Sequence, residues 1–108
     1  MYFYDPAERE TKELGPGVVA RTFWGDRMLV SVGEFVPGAE AAQHSHPHEQ
    51  VGTVLDGEVT LVIGEESRTL KAGELFIVPG GVKHSATAGS SGAKVMDIFS
   101  PVREEFKY

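Results

Sequence analysis

The sequence predicts an all-β domain, a sandwich or barrel of eight or nine short strands, and three observations carry that prediction. Short apolar runs recur along the chain, separated by turn-forming residues at the spacing of successive strands. Glycine supplies 13 of the 108 residues, against roughly 7% in average proteins, and the glycines fall between the runs, where tight turns need them. Within the runs the side chains show a period of two: Val59, Leu61 and Ile63 share one parity, Thr60 and Val62 the other.

Taken in order, the first strands are residues 18–24 and 28–36, the latter ended by Pro37-Gly38. Residues 50–56 and 58–63 form two strands meeting at Asp56-Gly57, a dipeptide suited to a tight hairpin. Gly64-Glu65-Glu66 turns the chain into residues 67–70, and Ala72-Gly73 turns it into residues 75–78. Pro79-Gly80-Gly81 breaks that strand, residues 84–87 begin another, and residues 89–92 form a loop. Residues 93–99 are the last strand, followed by a polar tail over 100–108. The one place for a helix is among residues 6–14, where Pro6 and Gly15 keep it short. No linker, repeat or low-complexity segment interrupts the pattern, so residues 1–108 read as a single domain of ordinary size.

Composition narrows the function. Apolar residues make up 41% and charged residues 24%, enough for a packed core and against bulk disorder. The net charge is −6 and the basic residues form no stripe, which makes nucleic acid and anionic membranes poor partners. Cysteine is absent, so no disulfide framework exists. The N-terminus shows no apolar stretch behind a basic start, and nothing approaches the ~20 apolar residues of a membrane span. A soluble cytoplasmic protein is the simplest reading.

Three of the four histidines crowd into His44-Ser45-His46-Pro47-His48. Imidazole is the commonest protein ligand for divalent transition metals. On a strand, residues two apart face the same way, so His44 and His46 can aim at one ion, with Gln50 on the same parity and Glu49 pointing out. His84 must arrive from another strand. His48 follows Pro47 and reads as solvated or as a neighbour of the ligands. In the last strand Val95, Asp97 and Phe99 share one face, which puts a carboxylate between two apolar neighbours. Such a group is costly unless paired or used. Arg103 lies close enough to fold back over the same opening. A structural Asp97–Arg103 ion pair and a catalytic role are both open on spacing alone.

The spacing of Gly38, His44-Ser45-His46, Gln50 and Gly57 resembles the first cupin motif, and that of Gly73, Pro79-Gly80-Gly81 and His84 the second. Residues 38–57 and 73–84 thus form the motif core. The resemblance implies a cupin β-barrel, the double-stranded β-helix or jelly roll, holding one divalent ion at His44, His46, Gln50 and His84. Two positions depart from the usual pattern: Gln50 stands where most cupins carry glutamate, and Ala88 where the second motif commonly ends in asparagine. Three neutral imidazoles and a neutral amide leave the full double charge on the ion. That strengthens it as a Lewis acid and as an anchor for anions. Zinc, nickel, manganese or iron fit such nitrogen and oxygen donors, and soft copper(I) does not.

His44-Ser-His-Pro-His-Glu-Gln50, together with Asp97-Ile-Phe-Ser-Pro-Val-Arg103-Glu-Glu-Phe106 and the aromatic start Tyr2-Phe3-Tyr4, is similar to the pectin degradation protein KdgF family. That resemblance implies an enzyme on 4,5-unsaturated monouronates released by pectin and alginate lyases, promoting ring opening to linear 5-keto-4-deoxyuronate. It implies Asp97 and Arg103 as catalytic residues, with Phe99 and Arg103 binding substrate. The competing readings are a metal-dependent dioxygenase, a non-catalytic sugar- or metal-binding module, and a metal-free barrel. The expected partners are a small anionic sugar and a second copy in a homodimer, since Tyr2-Phe3-Tyr4 would leave an apolar patch on a monomer.

Overall fold

The computed structural model describes residues 1–108. Its strands are β1 (Lys12–Gly15), β2 (Val18–Trp24), β3 (Leu29–Phe35), β4 (Glu40–His44), β5 (Glu49–Ile63), β6 (Glu66–Lys71), β7 (Leu75–Val78) and β8 (His84–Ser100). Two single-turn 3₁₀ helices, Pro6–Glu8 and Glu104–Phe106, lie near the ends. No helix is long and apolar enough to cross a membrane.

All neighbouring strands are antiparallel, and the path runs β1-β2-β3-β8-β5-β6, with β4 added to β8 and β7 to β5. The two long strands explain how one path becomes a barrel. β8 pairs with β4 near His84 and with β3 from Ala93 onward. β5 pairs with β7 over Gln50–Thr53 and with β6 from Glu58 onward. The β5–β8 ribbon therefore belongs to one layer at one end and to the facing layer at the other. Inside it, Val54, Val59, Leu61, Leu70, Phe76, Val78 and Val95 form the core. The period-two reading of residues 59–63 holds: Val59 and Leu61 are buried while Val62 faces out.

Several sequence-based boundaries are corrected. Asp56-Gly57 is not a hairpin; β5 continues through it without reversing, paired with β8. Gly57 does have positive φ, +73°, yet it serves a bulge that bends the ribbon instead of reversing it. A Cβ there would come within 2.2 Å of the Gly92 carbonyl oxygen, so this approach of β5 to β8 leaves no room for a side chain at residue 57. For the same reason residues 84–87, 89–92 and 93–99 are one strand and not two strands with a loop. The helix expected among 6–14 shrinks to Pro6–Glu8, capped by Asp5, and the chain then enters β1. β4 escaped the sequence reading because Ala41, Ala42 and Gln43 offer no apolar alternation; tertiary pairing with β8 makes it a strand.

Candidate metal centre

His44 ends β4 and lies opposite His84 at the start of β8. The chain then bends through residues 45–48, carrying His46, before β5 opens with Glu49 and Gln50. Strand parity is thus not what aligns His44, His46 and Gln50, as the sequence suggested: a bend separates them, and convergence comes from the fold. The Gly81 N–H donates to the His46 carbonyl at 2.8 Å, fastening the bend to the 79–81 turn.

Each cluster ring sits with Nδ1 against a main-chain carbonyl: His44 at Ala42, 2.7 Å; His46 at His48, 3.1 Å; His84 at Val82, 2.9 Å. A carbonyl only accepts, so the proton is assigned to Nδ1 and Nε2 is left as a lone pair. The candidate ligand atoms of the three rings lie within 4.8 Å of one another. His84 Nε2 is buried without any partner, and Gln50 Oε1 stands 3.0 Å from His46 Nε2. Converging acceptors with no donor among them, His46, Gln50 and His84 buried and His44 half-buried, are the electrostatics of a cation site. His46 and His84 are both held below the ordinary imidazole pKa, first by burial and further by the neighbouring His44 and Arg103 charges, which keeps them neutral as ligands must be. The four predicted ligands are therefore together, and they fit a divalent ion of the nitrogen- and oxygen-preferring class.

Asp97 borders this cluster. Its Oδ1 accepts the Gln50 Nε2–H at 2.9 Å. Burial pushes its carboxyl up to about 6, against the pull of the Gln50 hydrogen bond and the Arg103 charge. The structural Asp97–Arg103 ion pair considered above does not form. Arg103 instead donates Nε–H to Glu105 at 2.6 Å and lies 3.9 Å from the Phe106 ring centroid. Asp97 and Arg103 nonetheless line one cavity of about 450 Å³, in which Arg103 is the only arginine or lysine. Phe99 is 2% exposed and packs edge-on to the His46 ring at 5.7 Å, a wall residue. His48 is half-buried and holds His46 through its carbonyl, and Glu49 is exposed, both as expected.

Sequence reading gave no role to Glu105 and Phe106, which set the Arg103 side chain, or to Ser31, buried in the cavity wall opposite Asp97. Ser31 was findable: it shares parity with Leu29 and Gly33 on the inward face of β3. The tail is fixed by contacts distant in sequence. Thr22 Oγ1 donates to the Phe106 carbonyl at 2.6 Å and Lys12 Nζ to the Glu105 carbonyl at 2.6 Å. A second cavity of about 710 Å³, between β6 and β7 and lined in part by the core residues Leu61, Leu70 and Phe76, contains no histidine.

The cupin domain family model matches residues 31–99. The pectin degradation protein KdgF of Dickeya dadantii is 32% identical over 107 residues, covering 97% of this chain and 96% of that protein. Among solved structures, an RmlC-like cupin from Shewanella frigidimarina superposes with a TM-score of 0.93 at 30% identity, over 99% of this chain and 96% of that one. KdgF from a Halomonas species superposes with a TM-score of 0.92 at 27% identity, over 99% of both chains.

Proposed function

The chain belongs to the cupin family and, within it, to that of the pectin degradation protein KdgF; from this premise we propose that it is a metal-dependent enzyme opening the ring of 4,5-unsaturated monouronates. The observation that carries the reading is the juxtaposition of a raised-pKa carboxyl, Asp97, with the three-histidine cluster, beside a cavity that Asp97, His44 and His84 line and whose sole arginine or lysine is Arg103.

A divalent ion held by His44, His46, Gln50 and His84 would supply Lewis acidity and an anchor for the sugar carboxylate. The remaining work falls to side chains. Arg103 binds an anionic or hydroxyl group of the sugar, which matters because the net charge of −6 repels anions at long range. Asp97 takes the O1 proton as the bond between C1 and the ring oxygen breaks, leaving a C1 aldehyde and a C5 enolate. It then returns that proton to C4 as the enolate becomes the ketone, so substrate and linear 5-keto-4-deoxyuronate are isomers. A carboxyl titrating near 6 serves both directions of transfer near neutral pH. Phe99 and Phe106 wall the cavity beside the cluster.

The test follows the ultraviolet absorbance of an unsaturated monouronate with purified protein. Wild type is expected to accelerate its loss, and the His46→Ala/His84→Ala variant to lose both bound metal and the acceleration. No acceleration by metal-loaded wild type over the spontaneous rate would refute the reading.

A further inference from the structure

Gln50 can be an oxygen ligand only if its amide is turned the right way, since its NH₂ end would repel a cation. Two contacts bear on that choice. The amide oxygen faces His46 Nε2 at 3.0 Å, and the amide nitrogen faces Asp97 Oδ1 at 2.9 Å. An ionised carboxylate accepts and never donates, so it holds the NH₂ end to itself and leaves the oxygen toward the imidazoles. Space for that carboxylate comes from one residue. Gly52 lies on β5 between Asp97 on β8 and Phe76 on β7. A Cβ at Gly52 would stand 2.6 Å from Asp97 Oδ1 and 2.2 Å from Phe76 Cζ, both well inside contact distance. The phenylalanine is buried core, so it cannot readily yield.

We propose that Asp97 and Gly52 are positioning residues for the metal centre: Asp97 selects the amide orientation that makes Gln50 an oxygen ligand, and Gly52 leaves the gap the carboxylate occupies. The proposal rests on the metal-binding part of the functional reading and not on turnover. It separates two duties of Asp97, one toward the ligand and one toward the substrate.

Zinc affinity of the chelator-stripped full chain, measured by competition with a chromophoric chelator, tests it. Asp97→Leu removes the acceptor and should weaken zinc binding by about 10–100-fold, the usual effect of losing the group behind a ligand. Asp97→Asn still offers a carbonyl acceptor and should retain affinity within severalfold while losing turnover. Because Asp97 acts through Gln50, the Gln50→Leu/Asp97→Leu double variant should bind no more weakly than Gln50→Leu alone. The cobalt(II) spectrum of Asp97→Leu should shift toward that of Gln50→Leu. For Gly52, Phe76→Leu first clears the ring, and Gly52→Ala in that background should lower zinc affinity by about tenfold. If that pair fails to fold, the Asp97–Gln50 cycle decides. Wild-type affinity in Asp97→Leu, or additive losses in the double variant, overturns the proposal. A wild type that takes up no zinc or cobalt overturns both this and the metal-dependent reading. An intact cycle without uronate turnover sinks only the enzyme reading.

Discussion

Replacing Asp97 by asparagine should make the metal-free protein more stable and, on the proposed mechanism, nearly abolish turnover. The carboxyl is raised from its ordinary 3.8 to about 6, chiefly by burial, so the folded state disfavours the ionised form. A difference of that size is worth about 3 kcal/mol, at 1.36 kcal/mol per pH unit; water entering the cavity lowers the expectation to about 1–3 kcal/mol. The sign follows from proton binding. Between pH 4 and 6 the folded protein holds this proton more tightly than the unfolded chain, so its contribution is fully present below 3.8 and lost as pH rises through about 6. Asparagine is neutral throughout and keeps an acceptor for the Gln50 amide. Relative to wild type it should therefore gain stability as pH rises from 4 to 7, reaching a melting temperature higher by roughly 5–15 °C. No Asp97–Arg103 ion pair has to be broken, and the opposing pull of the Gln50 hydrogen bond and the Arg103 charge is already contained in the net rise to about 6. On the proposed mechanism turnover should fall about 100-fold or more, since the carboxyl assigned to proton transfer is gone. Thermal melts of chelator-treated wild type and variant across pH 4–8, beside uronate kinetics of the metal-loaded forms, make the comparison. An unchanged melting difference across that range would refute the desolvation argument, and wild-type turnover in a folded, loaded Asp97→Asn would remove Asp97 from the mechanism.

Gln50→Glu should keep the metal but reduce activity, because a carboxylate cancels one unit of the ion's charge and stands against Asp97 at the 2.9 Å contact; equal kcat and KM in variant and wild type would show the amide to be incidental. Arg103→Lys retains charge but loses the planar fork that meets Glu105 and lies over Phe106, so KM should rise several-fold with kcat less affected, and a fall confined to kcat would contradict a binding role. A homodimer is expected because Tyr2 and Phe3 stand 92% and 89% exposed, an aromatic patch of the kind that interfaces cover; a monomeric mass by light scattering at micromolar concentration would exclude it.

What the sequence determined by itself was local or set by chain spacing. Alternation marked Val59 and Leu61 as inward, and the two motif segments singled out His44, His46, Gln50 and His84 as a ligand set without any knowledge of the turns between them. Asp97 was legible because a carboxylate between inward-facing Val95 and Phe99 is chemically out of place. What tertiary structure decided was everything that depends on which strands become neighbours. Gly57 looks the same in sequence whether its positive φ reverses a chain or bends it; only the approach of Gly92 across the ribbon selects the bend. Arg103 has carboxylates available at 97 and at 105, and the fixed path of the tail over Thr22 and Lys12 gives it the latter. Gly52, which no turn requires, acquires its role from Asp97 and Phe76, each delivered from a different strand. Periodicity and spacing act within a segment of chain, whereas side-chain partnership depends on contacts far apart in sequence that form only when the barrel closes.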